Sequence, residues 1–249
     1  MLQRQSTILP RPTHRYHVSL AVDDGEIREA QRLRYKVFAN EMGARLSTAL
    51  PGHDIDLHDP FCDHLLVRDL ASGQVVGTYR ILTPESANRV GSYYSEQEFD
   101  LTRLGFLRPR MAELGRACVH PDHRSGAVLA RLWLGLADYM KRYGYEYVVG
   151  CASISMADGG HLAARVHRQL HAKHLAPIEW HVTPRHRLPV DKLDDGQQAI
   201  LPTLIKGYSR LGALCCGEPA WDPDFNTADV LMLLPMAQLN HSYARRFIS

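Results

Sequence analysis

The stretch "MAELGRACVHPDHRSGAVLARLWLGL" (111–136) sets a carboxylate and a guanidinium, Glu113 and Arg116, on one apolar segment. A turn bearing Arg124, Ser125, Gly126 and Ala127 follows. An acid within an apolar strand is either half of a structural ion pair or a group that moves protons, and spacing alone leaves both open for Glu113. Strand alternation puts Glu113, Gly115 and Ala117 on one face and Leu114, Arg116 and Cys118 on the other. The turn leads from strand to helix, where backbone N–H groups can meet a phosphate. It carries one glycine where a nucleotide loop carries two or three, so it reads as a reduced phosphate loop.

Other chemistry-bearing side chains are scattered. "HDIDLHD" (53–59) supplies Asp56 and Asp59, two loop carboxylates suited to a cationic substrate or, equally, to a solvated acidic turn. His53 and His58 lie among them, but their spacing follows no standard ligand pattern, and no metal is expected. Arg34 and Arg80 could answer a substrate carboxylate with a planar bidentate contact. Ser153 and Ser155 would face a ligand or bond to backbone as core serines. Cys118 and Cys151 read as small packing residues; a nucleophile assembled with His120 or His123 has no local signature. Trp133 and Trp221 read as core or pocket-wall aromatics.

The elements that must position these groups follow from periodicity. "YHVSLAV" alternates like a strand, and Asp23, Asp24 and Glu26 then open a helix carrying Ile27, Ala30, Leu33 and Val37 inward. Residues 43–60 are loop-like, and "DHLLVRDLASGQVVGTYRIL" has a hairpin signature around "ASG". No periodicity marks residues 85–110. After the Glu113 strand, Val128, Leu132, Leu136 and Met140 form one helix face, with Gly144 as a stop. "YEYVVGCASI" is a buried strand, and "GGHLAARVHRQLHAKH" a helix with Leu162, Val166 and Leu170 inside. The tail from 201 to 235 reads as two strands joined by a long loop.

Bulk properties narrow the class. With 249 residues, 45% hydrophobic and 22% charged, the chain is long enough for a proper core and too balanced for disorder. A formal net charge of +2 does not demand a nucleic-acid partner. Five cysteines without C-x-x-C spacing suit a reducing cytoplasm. No stretch approaches the ~20 apolar residues of a membrane span, and the basic start lacks a signal-peptide core. Residues 1–15 are expected to be a basic lead-in and 16–249 a single domain.

The order strand, helix, hairpin, strand, phosphate turn, helix, strand, helix, strand pair is similar to the GNAT acyltransferase fold. That is an α/β (α+β) architecture with a mixed, mostly antiparallel central sheet flanked by helices and a C-terminal strand pair. Within it the chain resembles the ornithine N-acyltransferases that make lyso-ornithine lipid. The segments that carry this are "RLRYKVFANEMGA", "DIDLHDPFCDHLLV", "GTYRIL", "SYYSEQEFDL", "ELGRACVHPDHRSG", "GCASISM", "LIKGYSRLGA" and "PAWDPDFNTADVLMLLP", from about residue 30 to 235. The acyl-homoserine lactone synthases share a sparser pattern of Asp56, Asp59, Arg80, Glu113 and Arg116.

The resemblance implies transfer of a 3-hydroxy-fatty acyl group from acyl carrier protein to the α-amine of L-ornithine, the first step of ornithine lipid synthesis. Glu113, with Arg116 nearby, becomes the catalytic base, and a bulge in its strand would free backbone N–H groups for a thioester oxyanion. Asp56 and Asp59 would take the second ammonium of ornithine, Arg80 or Arg34 its carboxylate, and Ser153 would face the substrate. The phosphopantetheine arm of the carrier would rest on Val119 and on Arg124, Ser125, Gly126 and Ala127, with no cofactor of the enzyme's own. His123, Arg124 and Arg131 would meet the acidic carrier protein; Lys141 and Arg142 read better as a wet helix face. The site of action is cytoplasmic, peripheral at the inner membrane. Two other readings stay open: another N-acyl amino acid or acyl-homoserine lactone synthase, and a non-catalytic carrier-binding module.

Overall fold

The computed structural model describes residues 15–240, so the expected basic lead-in lies almost wholly outside the described residues. Tyr16–Leu20 (β1) leads to α1 (Asp24–Tyr35). Asp23 caps α1 by accepting the Glu26 N–H at 2.9 Å, and the Glu26 carboxylate reaches back to the Val22 N–H at 3.0 Å. Lys36–Glu41 continues as a wider π turn. The hairpin forms as expected from β2 (Asp63–Asp69) and β3 (Val75–Leu82). The stretch without periodicity becomes α2 (Pro84–Val90), short 3-10 turns and β4 (Phe99–Asp100). Next come β5 (Met111–Val119), α3 (Ala127–Tyr143), β6 (Tyr147–Ser155) and α4 (His161–His174).

The tail differs from its expected two strands. After β7 (Thr183–Pro184) and α5 (Val190–Leu193), residues Thr203–Leu211 form a helix, α6, before β8 (Leu214–Cys215), β9 (Ala220–Asp222) and β10 (Thr227–Pro235). The helix wins because Leu204, Ile205, Tyr208 and Leu211 recur at helical spacing, and Gly212 closes it in the left-handed region. Tyr208 packs beside Trp133 of α3 and its hydroxyl meets that of Tyr79 on β3.

The main sheet runs β1-β2-β3-β5-β6-β10-β8, with β9 also on β10. Of these pairings only β5–β6 is parallel, and it lasts three residues: Met111↔Tyr147, Ala112↔Val148 and Glu113↔Val149. Beyond Glu113 the two strands part. Gly150 marks the branch point, where a Cβ would stand 2.3 Å from the Leu114 carbonyl oxygen. On the β3 side, Leu82, Arg80 and Thr78 oppose Glu113, Gly115 and Cys118, so β5 holds one extra residue in a bulge. Arg116 sits in that bulge with φ +52°. The expected bulge is therefore present, and it overturns the strand alternation beyond Gly115. Cys118 comes to the Glu113 face, and Ala117 packs with Leu114 and Val119 toward α3.

One face of the sheet thus carries α1 and the loops from 43–62 and 91–110; the other carries α3, with α4 and α6 covering β6 and β10. Among the described residues no helix is long and apolar enough to cross a membrane.

Candidate active site

A cavity of about 730 Å³ occupies the parting of β5 and β6 and reaches both faces of the sheet. That volume suits a small-molecule or acyl ligand. Residues 114–119 of β5 and 148–153 of β6 line it continuously. A strand edge without a ladder partner offers backbone N–H groups to whatever enters. On the α3 side the walls are apolar: Leu132, Trp133, Leu136 and Met140 from α3, Leu204, Ile205 and Tyr208 from α6, and Met232 and Leu234 from β10. On the α1 side they are polar: Arg80, Tyr94, Glu113, Arg116, Ser153, Asp222 and Asp229.

Glu113 is buried, and its two oxygens accept backbone N–H bonds from Tyr94 at 2.6 Å and Ser95 at 2.8 Å. Among the described residues it makes no ion pair with Arg116, so the structural-pair reading is not what the geometry gives. Burial pushes its carboxyl up from the ordinary value, and the bonds from Ser95 and Tyr94 pull it part of the way back. A carboxylate of raised basicity, fixed in place and open to a cavity, suits proton abstraction.

The arginines and loop aspartates form a closed ring. Arg34, with no exposed side-chain surface, holds Asp54 at 2.8 Å and Asp59 at 2.6 Å. Arg80 bridges Asp59 at 3.3 Å and Asp56 at 2.6 Å. Arg116 returns from Asp56 to Asp54, both at 3.1 Å. Burial works to raise the Asp56 carboxyl, but Arg80 and Arg116 overcome it and hold the group well below the usual range. The structure therefore brings Asp56, Asp59, Arg34 and Arg80 together with one another rather than around an opening. Of the ring, Arg80 and Arg116 line the cavity. Arg116 also stacks between Tyr94 and Phe225, 4.6 and 4.7 Å from their ring centres.

The turn before α3 stands at another part of the cavity wall, where Val119, His123, Arg124 and Gly126 line it. Arg124, Ser125, Gly126 and Ala127 are exposed, and Gly126 has φ +94° just ahead of the helix. Arg124 donates to the Val119 carbonyl at 3.1 Å and forks onto Glu41 at 2.5 and 2.7 Å. Lys36 meets His120 at 2.6 Å alongside. Lys141 and Arg142 lie in the last turn of α3, at the far end of a 17-residue helix.

Ser153 lines the cavity, as do Cys118 and Cys151, whose thiols burial pushes up, Cys118 to about 12. Trp133 lines the apolar wall, whereas Trp221 is exposed on short strand β9 and is neither core nor wall. Sequence reasoning missed Tyr94, Glu98, Asp222, Phe225 and Asp229. Their one signal was membership of "SYYSEQEFDL" and "DPDFNTADV", segments that carried a resemblance but no assigned role.

The acetyltransferase (GNAT) domain family matches residues 33–134. An L-ornithine N(alpha)-acyltransferase from Brucella abortus is 37% identical over 243 residues, spanning 91% of this chain and 86% of that protein. One from Rhodobacter capsulatus is 38% identical, spanning 92% and 93%. The chain belongs to the L-ornithine N(alpha)-acyltransferase family. As a member it is an acyltransferase. Among solved structures the family's fold is shared by LasI, an acyl-homoserine lactone synthase, with TM-score 0.52, 16% identity and coverage of 91% of this chain and 95% of that one. It is shared also by FeeM, an N-acyl amino acid synthase from uncultured soil microbes, with TM-score 0.51, 13% identity and coverage of 90% and 94%.

Proposed function

We propose that this enzyme transfers a fatty acyl group from the thioester of an acyl carrier protein to the α-amine of L-ornithine. The observation that carries the reading is the position of Glu113, fixed by two backbone N–H groups on the polar side of a cavity whose other side is an apolar slot. The acyl chain lies in the slot between α3 and α6, and the amino acid lies beside Glu113 and Arg116. An α-ammonium is mostly protonated at neutral pH, so Glu113 first removes a proton from it. The amine nitrogen then attacks the thioester carbonyl, its oxygen facing backbone N–H groups at the β5 bulge. The C–N bond forms, the C–S bond breaks, and the second proton shed by the nitrogen passes to the departing thiolate, which leaves as thiol. Arg80 and Arg116 present positive charge to the substrate carboxylate, held in place by the aspartates behind them.

The donor's pantetheine phosphate rests at the exposed turn 124–127, a helix N-terminus with one glycine, and Lys36, His123 and Arg124 around it suit an acidic carrier surface. The product is amphiphilic, which favours work at a membrane surface.

Mass spectrometry of products from acyl carrier protein and from acyl-coenzyme A, each with ornithine, lysine, glycine or S-adenosylmethionine, tests this. The expected result is N-acyl-ornithine, formed fastest from the carrier protein. Equal rates from coenzyme A would remove the donor assignment; tight carrier binding with no thiol release on adding any amine would remove catalysis.

A further inference from the structure

Besides the arginine–aspartate ring, the same face of the sheet holds a second group of acids with the opposite character. Asp229 on β10 stands opposite Ser153 of β6, and Glu98 hangs from the turn whose Tyr94 and Ser95 N–H groups hold Glu113. Ligand atoms of Glu98, Asp229 and Cys151 lie within 4.8 Å of one another. Glu98 is 8% exposed and Asp229 4%. Both oxygens of Glu98 and Oδ1 of Asp229 are buried with no donor in good hydrogen-bond geometry, although Asp229 stands within reach of Ser153, Thr227 and Glu98 itself. Among the described residues no lysine or arginine makes an ion pair with either. Asp229, Ser153 and Asp222 line the cavity that Glu113 lines.

Buried carboxylates without a cation are costly and need a reason. Here the reason is supplied by the substrate. Acylation at the α-amine leaves ornithine's δ-ammonium intact, a cation with three donors that must be accommodated in the same cavity. We propose that Glu98 and Asp229, with Ser153 beside them, form the subsite for the side-chain ammonium of the acceptor and so select a diamino acid. This deepens the reading of an ornithine acyltransferase and rests on it. A divalent metal is the poorer occupant. Two carboxylates and one cysteine fall short of a full ligand set, and burial beside acids holds the Cys151 thiol well above its ordinary value, so it stays protonated. Free of ligand, the pair cannot comfortably ionise twice: burial first, then Asp229, pushes Glu98 up to about 10. Burial raises Asp229 as well, and an ammonium held between the two would supply the charge that lets them ionise.

The test compares ornithine with norvaline, its analogue lacking the δ-amine, by calorimetric binding and by product formation. Wild-type enzyme is expected to favour ornithine by roughly 10⁴-fold, because a site built around buried polar groups rejects an analogue that leaves them unpaired. Glu98→Gln and Asp229→Asn, singly and together, are expected to collapse the ornithine-to-norvaline ratio toward one in both measurements. An unchanged ratio, or equal use of the two amino acids by wild type, overturns the subsite while leaving ornithine acylation standing. Binding selective for ornithine without any acyl product would instead overturn the parent reading and keep the subsite. Loss of ornithine preference on chelation, restored by zinc, would show a metal site and overturn the ammonium assignment.

Discussion

Two charged clusters share one face of the sheet, and they differ in a single respect. In the ring of Arg34, Arg80 and Arg116 with Asp54, Asp56 and Asp59, each acid is answered by two arginines. In the pair Glu98 and Asp229 no lysine or arginine among the described residues forms an ion pair, and three of the four carboxylate oxygens lack a donor in good geometry. The first is complete in the free protein and acts as scaffold: it ties α1, the 54–59 loop, β3 and the β5 bulge into one piece. The second is incomplete and is stabilised by whatever completes it. Residue type does not distinguish them; satisfaction does.

The largest effect expected is on Glu113, which borders both clusters. Glu113→Gln should retain the fold at a cost of about 1–3 kcal/mol, since the amide oxygen keeps one backbone N–H while the amide nitrogen faces the other, and lower turnover by roughly 10²–10⁴-fold. Stopped-flow or mass-spectrometric rates check this, and near-normal turnover in a folded variant would remove the base role. In the active enzyme the loss of rate on acidification should set in above the ordinary glutamate range, because burial raises this carboxyl.

Next comes the ring. Arg34→Ala leaves Asp54 and Asp59 without their shared buried partner and is expected to cost about 3–5 kcal/mol, read from the denaturant midpoint. A variant with wild-type stability would mean that the ring is not the scaffold described.

The clusters should also separate by pH. Asp56 has its folded value depressed, so its contribution is present above the unfolded value and lost as pH falls through the folded one, on the acid side of 4. Glu98 has its folded value raised, so its contribution is full below the unfolded value and is lost as pH rises toward about 10. Wild-type stability should therefore decline between pH 6 and 9, at most by about 1.4 kcal/mol per pH unit for one proton. Glu98→Gln should flatten that slope and raise the ligand-free melting temperature at pH 8 by a few degrees. Thermal melts across this range without ornithine check both; an unchanged slope would deny that the pair is strained. The smallest effect expected is at Lys141: Lys141→Ala should leave turnover with carrier protein unaltered, since it sits at the far end of α3 from the turn.

Much of the architecture was legible in the residues. Local patterns mark β1, β2, β3, β5 and β6, α1, α3 and α4, and the turn at Gly126, because each is set by short-range spacing and capping. Glu113 stood out because a carboxylate in an apolar strand needs an explanation. The α6 helix escaped the reading of the tail as two strands and a loop; its Gly207 is where Trp133 lies so close that a Cβ would meet its ring at 2.3 Å.

What the sequence determined by itself, then, is the order of elements and the presence of an ionisable group in mid-sheet, since both depend on neighbours a few residues away. Only the tertiary structure decided which face each β5 side chain takes, because the bulge at Arg116 is a mismatch between β5 and β3 that neither strand encodes alone. It also decided which acids are paired. Asp59 meets its arginines from α1 and β3, while Glu98 and Asp229 come together from a 3-10 turn and the final strand. A carboxylate's partner is fixed by distance in space, and that distance exists only once the sheet has formed.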